Sequence, residues 1–251
     1  MTFTSFSDFL ANGLFGKYLL SNANASHAMV LYVIAAIAVI VCSYLLGSIN
    51  FAIIISARTY KQDIREFGSK NAGMTNMMRT YGKKAAALTL LGDALKALLS
   101  CCLGYTLIGE LGAYLGGLFC IVGHIFPIFY QFKGGKGVVT VAVTVLMCNP
   151  IVFLILFVIF IIIVAFSKFI SLGSVMCMLL YPIILDRITR ILTRSATGTE
   201  LTSPYIIFTV LIAALIIFKH WGNIKRLING TENKFSFKKS VKSEEDTNEA
   251  K

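Results

Sequence analysis

Charged residues are scarce in this chain, and their scarcity excludes most soluble folds. Only 14% of its 251 residues are charged, whereas 57% are hydrophobic and the mean hydropathy is +0.77. A soluble domain contains ~25% charged and ~45–50% apolar residues. Acidic residues are scarcer still, with 12 Asp and Glu against 23 Lys and Arg. The composition therefore predicts an integral membrane protein and leaves no room for a large soluble catalytic domain.

Several chemistries are excluded because their motifs are missing. None of the three histidines is followed five residues later by Asp, so the HxxxxD acyltransferase dyad is absent, as are HExxH, GxSxG and a paired carboxylate motif in a loop. The cysteines show no CxxC or Cys/His ligand spacing, so the sequence predicts neither disulfides nor a metal site, and no cofactor is expected. Nucleic acid is not an expected partner. The six cysteines all lie in apolar stretches: Cys42, Cys101, Cys102, Cys120, Cys148 and Cys177.

Long apolar runs are what the chain does contain, and they predict an all-α membrane protein. One transmembrane helix needs ~20 residues, so the runs correspond to seven transmembrane helices, of which the fourth and seventh are short. We expect boundaries accurate to ~2–4 residues. The runs are 30–57, 85–109, 112–130, 136–149, 151–167, 172–193 and 204–219.

The distribution of basic residues predicts the topology. The segment 58–84 carries seven bases, the turn 133–136 two, the turn 167–171 one and the chain after Phe218 eight, and seven spans place all four on one side. By the positive-inside rule this side is cytoplasmic, which puts the N-terminus outside and the C-terminus in the cytoplasm. The opposite side has only Lys17 and three arginines near the end of the sixth span.

Three regions are expected along the chain. Residues 1–29 form a leader, 30–230 the seven-helix domain and 231–251 a polar tail of mixed charge that we expect to be disordered. The leader places four apolar residues at helical spacing, which favours a short helix lying in the membrane interface. These residues are Phe3, Phe6, Leu10 and Leu14.

The first cytoplasmic loop is dense in small residues and in groups that donate to oxyanions. Glycines allow backbone NH groups to approach a ligand closely, and Ser, Asn, Thr and Arg side chains bind phosphate oxygens. A solvated linker is the alternative, although the loop is longer than a helix connection requires. The residues concerned are Gly68, Ser69, Asn71, Gly73, Thr75, Asn76 and Arg79.

Two further segments have a similar character. Gly134-Gly135-Lys136-Gly137 precedes the fourth span, where a helix N-terminus and a lysine favour a bound phosphate, but the order of residues is not that of a Walker A loop. His220, Asn223 and Arg226 follow the last span at same-face helical spacing. A snorkelling lysine and a basic helix against lipid headgroups are the respective alternatives.

Two ionisable residues lie inside the second span. Asp93 and Lys96 are three residues apart, so a structural ion pair and a role at a substrate site are equally compatible with the sequence. His124, in the third span, is interpreted as a packed or hydrogen-bonded helix residue.

Residues 30–235 resemble the PlsY family, the acyl-phosphate:glycerol-3-phosphate acyltransferases of bacterial membranes. Three motifs carry the resemblance in order: GSxNxGxTNxxR at Gly68–Arg79, GGKGVxT at Gly134–Thr140 and HxxNIxRLxxGxE at His220–Glu232. The resemblance implies a seven-helix enzyme of the bacterial cytoplasmic membrane that transfers a fatty acyl group from acyl phosphate to the 1-hydroxyl of glycerol 3-phosphate. The products are lysophosphatidic acid and phosphate, and the expected partners are the two substrates, membrane lipids and the enzyme that produces acyl phosphate.

The resemblance also implies roles for individual residues. Family members are thought to use no protein general base, because a substrate phosphate takes the proton. Catalytic roles carry over to Ser69, Arg79, Lys136, His220 and Asn223. Substrate-binding roles carry over to Gly68, Asn71, Gly73, Thr75, Asn76, Gly134, Gly135, Gly137, Ser171 and Glu232.

The chain departs from the family pattern at three positions, and two other functions remain open. Lys70 stands where a second glycine is usual, Met74 where alanine is usual and Trp221 where arginine is common. A small transporter for an anionic metabolite would also use basic glycine-rich loops and an intramembrane ion pair. A non-catalytic scaffold that binds anionic lipid is the third interpretation.

Overall fold

The computed structural model describes residues 6–21 and 25–235, and the regular structure within these ranges is entirely helical. Two short 3₁₀ turns, Ile64–Glu66 and Ile128–Tyr130, lie between the longer helices. The α-helices are α1 (Phe6–Ser21), α2 (Ala25–Ser48), α3 (Phe51–Tyr60), α4 (Met74–Tyr81), α5 (Lys83–Ile125), α6 (Val138–Cys148), α7 (Pro150–Ser167), α8 (Ile170–Thr197), α9 (Ile206–Lys219) and α10 (Trp221–Ile228).

The first predicted span, 30–57, is not one continuous helix. It corresponds to α2 and α3, which are separated by Ile49 and Asn50. The Asn50 side chain accepts a hydrogen bond from Ile53 N at 3.1 Å and so caps α3. Because asparagine is a favoured N-cap residue, the sequence itself starts a new helix here.

Helix α5 folds back on itself as a hairpin. Ile108 and Gly109 leave the helical conformation, and Gly109 has φ +70°. A Cβ atom added to Gly104 would lie 1.9 Å from the Gly112 carbonyl oxygen, a contact that a straight helix would not make across about 12 Å. The two halves are therefore antiparallel and packed through small residues, and they correspond to the predicted runs 85–109 and 112–130. The second half ends earlier than predicted, at Ile125, two residues before the helix-breaking Pro127.

The N-terminal helix α1 packs on the turn of this hairpin. Gly13 (φ +64°) and Gly109 are in backbone contact, since a Cβ on either would lie 2.3 Å from main-chain atoms of the other segment. Of the four apolar residues predicted to form the interfacial face of this helix, Leu14 is the one whose side chain is described, and it is 40% exposed. Phe3 and the side chains of Phe6 and Leu10 lie outside the described residues, and the interfacial placement of the leader stays a prediction.

Two of the helices assigned to spans are short. The 11 residues of α6 and 14 of α9 extend about 16 and 21 Å, less than the ~30 Å hydrocarbon layer. Within the described chain, three helical segments are long and apolar enough to cross a membrane, or four if the bent pair α9 and α10, which meet at 58°, is one span. That number counts the α5 hairpin once. The prediction of seven spans and the orientation of the termini stay predictions.

The four basic segments meet at one end of the molecule. Phe235 N donates to Lys168 O at 2.7 Å, and Glu232 accepts a hydrogen bond from Ser171 at the start of α8. The boundary placed at residue 230 therefore falls within an ordered segment, because Thr231 to Phe235 belong to the described fold. The remainder of the expected disordered tail, 236–251, lies outside the described residues.

Candidate active site

A cationic cleft of about 440 Å³ lies where the three sequence motifs meet. Half of the residues that line it are Lys or Arg, and among these described lining residues none is Asp, Glu or His. Two of the six pair with carboxylates outside the lining, Arg65 with Asp63 at 2.6 Å and Arg226 with Glu232 at 2.7 Å. The excess of positive charge that remains favours an anionic ligand. The lining residues are Arg65, Ser69, Lys70, Asn71, Phe132, Lys133, Gly134, Lys136, Lys219, Gly222, Asn223 and Arg226.

Asn76 organises the loop of the first motif from inside. Its Oδ1 accepts from Ser69 N at 2.9 Å, and its Nδ2 donates to Ile64 O at 3.2 Å and to Phe67 O at 2.9 Å. The side chain is buried, and both amide hydrogens are used within the loop. The resemblance implies a substrate-binding role for Asn76, which stays a prediction; its observed contacts shape the loop that presents Ser69 and Asn71.

Other members of the first motif lie behind the cleft wall. Gly73 is the N-cap of α4 and Thr75 lies in its first turn. Gly68 has φ +58°, and a Cβ there would lie 2.3 Å from Asn76 Oδ1, so glycine is required for this turn. Arg79 is half-buried on α4, close enough for its charge to lower the pKa of Lys136.

Lys70 adopts a left-handed backbone conformation that favours glycine, with φ +58°. Lys70→Gly should relieve about 1–2 kcal/mol of left-handed strain against about 0.5–1 kcal/mol of added unfolded-state entropy, a net gain of up to about 1.5 kcal/mol. Because Lys70 also lines the cleft, we expect the KM for an anionic substrate to rise several-fold.

Lys61→Gly is the matched control for this prediction. Lys61 also has positive φ, at +56°, but it ends α3 and does not line the cleft. Thermal unfolding in detergent should show a similar gain for both variants, with the KM raised only for Lys70→Gly. Equal KM values would mean that the charge of Lys70 does not reach the substrate.

The glycines of the second motif hold the loop rather than offer free NH groups. Gly134 N donates to Ile125 O at 3.3 Å and Gly135 N donates to His124 O at 3.1 Å. The helix that was expected from residue 136 begins only at Val138, and Gly137 is its N-cap with φ +79°. Carbonyl groups at the end of α5 thus already accept both NH groups, and the substrate-binding roles of Gly134 and Gly135 stay predictions.

Lys136 projects from this loop to the third motif. Its Nζ donates to Asn223 Oδ1. Burial lowers the pKa of Lys136 to about 8, the Glu232 carboxylate opposes this shift, and the charges of Arg226, Arg79 and Lys219 add to it. The lysine is thus a cation held among other cations, an arrangement that a bound phosphate would stabilise.

Glu232 joins three segments of the site. Its Oε1 accepts hydrogen bonds from Ser171 Oγ at 2.8 Å and Asn223 Nδ2 at 2.6 Å, and its Oε2 accepts from Arg226 Nε at 2.7 Å. Burial raises the pKa of Glu232, but hydrogen bonds from Asn223, Ser171 and Arg226 outweigh it and hold the pKa below its usual value. Ser171 and Glu232 do not line the cleft, so their contacts position Asn223 and Arg226.

His220, predicted to be catalytic, lies behind the wall. It is 2% exposed at the junction of α9 and α10, with Nδ1 2.8 Å from Ile216 O. Burial, with a smaller contribution from Lys136, lowers its pKa to about 4, so the ring is neutral at neutral pH. We assign the proton to Nδ1, which leaves Nε2 as an acceptor.

The cleft also contains residues that the motifs did not single out. Arg65 donates through Nη1 to Tyr130 O at 3.0 Å and Lys133 O at 3.3 Å, and so joins the first loop to the second segment. Arg65 and Lys219 were visible only as members of basic segments, because no local spacing shows which bases of a loop converge. Arg226, in contrast, was singled out by its helical spacing from His220 and Asn223. The other lining residues without a predicted role are Phe132, Lys133 and Gly222.

The fold and the cleft define a class of protein: a helical bundle with several apolar helices and a cationic cleft at one end. A sequence profile of the family described as Glycerol-3-phosphate acyltransferase matches residues 37–230. The glycerol-3-phosphate acyltransferase of Finegoldia magna is 43% identical over 199 residues, which cover 78% of this chain and 93% of the relative. That of Clostridioides difficile is 39% identical over 214 residues, covering 81% and 97%.

Solved structures are similar as well. The crystal structure of PlsY, an integral membrane glycerol 3-phosphate acyltransferase, in its glycerol 3-phosphate form has a TM-score of 0.67 and 32% identity, covering 80% of this chain and 96% of that one. Its lysophosphatidic acid form has a TM-score of 0.64 and 30% identity over the same shares. The chain therefore belongs to the glycerol-3-phosphate acyltransferase family, and the resemblance found in the sequence is confirmed.

Proposed function

We propose that this protein transfers a fatty acyl group from acyl phosphate to the 1-hydroxyl of sn-glycerol 3-phosphate. The products are lysophosphatidic acid and inorganic phosphate. The observation that carries the proposal is the cleft between the three motifs, whose described lining has six basic residues and no acidic residue or histidine. Both substrates carry a phosphate, and acyl phosphate is an activated anhydride, so charge neutralisation and positioning are the main requirements.

The proposed reaction uses the residues that line the cleft. The glycerol hydroxyl attacks the acyl carbonyl carbon, the bond between that carbon and the phosphate oxygen breaks, and the phosphate leaves with the electron pair. With no carboxylate or imidazole among the described lining residues, the hydroxyl proton passes to a phosphate oxygen. Lys136 and Arg226 meet the charge that develops on the leaving phosphate, and Ser69 and Asn71 can bind the other phosphate.

The donor assignment is tested with purified protein in detergent or vesicles. Labelled glycerol 3-phosphate is supplied with acyl phosphate or with acyl-CoA of the same chain, and the lipids are extracted. We expect labelled lysophosphatidic acid with acyl phosphate only, and no loss of activity in EDTA. Comparable turnover with acyl-CoA, or no product with acyl phosphate from folded protein, would contradict the proposal.

We also propose that the protein lies in the bacterial cytoplasmic membrane with seven spans, an external N-terminus and the cleft facing the cytoplasm. That side is where glycerol 3-phosphate and the enzyme that makes acyl phosphate would meet the site. The four basic segments that converge at the cleft end support this orientation through the positive-inside rule.

Cysteine labelling measures the topology. Single cysteines at Lys70, Lys133 and Lys234, on a background without the six native cysteines, should resist an impermeant thiol reagent in intact cells and react after permeabilisation. Ser195→Cys, at the exposed far end of α8, should react in intact cells and serves as the control. Modification of the first three sites in intact cells would reverse the orientation.

A further inference from the structure

Three ionisable side chains form a buried cluster within α5. Lys96 Nζ lies 3.0 Å from Asp93 Oδ1 and 2.9 Å from His124 Nδ1, and the two partners are 3.4 Å apart. All three residues are at most 4% exposed, and none lines the cleft. Ionisable groups buried in a membrane protein are costly and usually have a function. Because none of the three lines the cleft, an effect of the cluster on the site has to pass through the residues that it contacts.

Lys96 fixes the break between α2 and α3. Its ammonium also donates to Gly47 O at 3.0 Å and Ile49 O at 2.8 Å, carbonyls at the C-terminal end of α2 that have lost their helical partners. The next residue, Asn50, donates through Nδ2 to Ala72 O at 3.3 Å, within the first motif loop. Lys96 is thereby linked through the helix break to the loop that presents Ser69 and Asn71.

His124 supports the second motif. Its carbonyl accepts a hydrogen bond from Gly135 N at 3.1 Å, and its ring lies directly against Gly135, because a Cβ added there would be 2.2 Å from His124 Nε2. The same Cβ would be 2.6 Å from Ala72 O. The first and second motif loops therefore meet at Gly135, one residue before Lys136, with the cluster beneath the junction.

We infer that Asp93, Lys96 and His124 are positioning residues that set the placement of Lys136 relative to the first motif loop. Lys96 holds the side of the junction that leads through Asn50 to Ala72, and His124 holds Gly135. Asp93 provides the counter-charge next to the Lys96 side chain. This inference rests on the proposed function, in which Lys136 and the first loop act on two phosphates of one reaction.

The test compares His124→Leu with His124→Gln. Gln can accept from Lys96 through its side-chain oxygen, whereas Leu cannot. We expect His124→Leu to lower kcat roughly 10–100-fold, because misplacement by about 1 Å costs up to about 10²-fold. The melting temperature and the KM for glycerol 3-phosphate should change little, and His124→Gln should recover most of kcat.

The matched control is Thr89→Val, one helical turn before Asp93. Thr89 is also buried in α5, but its hydroxyl donates to Ala85 O of its own helix at 2.9 Å. This variant should keep wild-type kcat. Normal kcat for folded His124→Leu, or kcat losses in His124→Leu, His124→Gln and Thr89→Val that follow their melting temperatures, would overturn the positioning role.

Gly135→Ala tests the same junction from the second motif, and it is informative even if His124→Leu does not fold. Gly135→Ala places a Cβ against both the ring and the Ala72 carbonyl, and we expect a loss of kcat at least as large. In the double variant with His124→Ala, part of the clash is removed. The fold-loss of kcat should therefore be smaller than the product of the fold-losses in the two single variants. Strictly multiplicative losses would contradict contact between the cluster and the loop.

Failure of the donor assignment can be distinguished from failure of this inference. The rise in melting temperature caused by glycerol 3-phosphate alone is measured without any acyl donor. Wild-type protein that shows this rise but makes no product from acyl phosphate would refute the donor and leave the cluster testable with the true donor.

Discussion

Lys136→Ala should lower turnover about 10²–10³-fold while the protein remains folded and inserted in the membrane. Lys136 is the one lining lysine that donates to a side chain of the third motif within the described structure, at Asn223 Oδ1. The leaving phosphate gains charge as the acyl–oxygen bond breaks, so a cation fixed beside it stabilises the transition state more than the ground state. The measurement is turnover at saturating concentrations of both substrates.

Lys133→Ala is the control for Lys136→Ala. Lys133 is three residues away and lines the same cleft, but its side chain is exposed and Arg65 contacts only its carbonyl. Its loss should be much smaller, because a flexible exposed lysine offers little preorganisation. Near-normal turnover for Lys136→Ala, or equal damage from both variants, would show that GGKG is only a basic membrane turn.

The charge of Lys136 should also limit activity at alkaline pH. Burial lowers its pKa to about 8 in the free protein, so kcat/KM should fall as the pH rises through about 8 and the ammonium loses its proton. A bound phosphate raises this pKa. The decrease of kcat at alkaline pH, which we call its alkaline limb, should therefore occur at higher pH than the decrease of kcat/KM. Lys136→Arg, if active, should lose the limb, since guanidinium stays protonated.

Glu232→Gln should also be strongly damaging, with turnover lowered about 10–100-fold. The carboxylate accepts from Ser171, Asn223 and Arg226 at once, and an amide has only one oxygen for these three donors. Each lost charge-assisted hydrogen bond costs about 1.5–3 kcal/mol, or roughly tenfold to over a hundredfold, if the groups stay buried. The variant should also shift the alkaline limb to lower pH, because the Glu232 carboxylate raises the pKa of Lys136.

Glu66→Gln provides the control for charge alone. Glu66 belongs to the same cytoplasmic loop as the first motif, but its side chain is exposed and does not line the cleft. It should leave turnover and the alkaline limb unchanged. A limb that moves equally in both variants would assign the effect to net charge rather than to the contacts of Glu232.

Local patterns predicted much of the helical framework. Apolar runs locate helices because burial in lipid depends on composition, and the predicted runs fall on α2 with α3, the two halves of α5, and α6 to α9. The breaks were harder to predict. Asn50 starts a new helix inside an apolar run, and Pro127 follows the early end of α5, effects of single residues that a window of hydropathy averages out.

The sequence by itself determined the family and the class of protein. Composition and the order of three motifs specify a helical membrane protein with basic, glycine-rich loops, because these properties are local and need no partner elsewhere in the chain.

Only the tertiary structure decided which residues face the cleft. Asn76 and His220 have the residue types of ligands, yet neither lines the cleft, and their partners are Ser69 N and Ile216 O. Glu232 links segments 61 residues apart, and the junction at Gly135 depends on His124 and Ala72, which come from α5 and the first loop. The direction of a side chain depends on the packing of distant segments, and motif spacing does not contain that information.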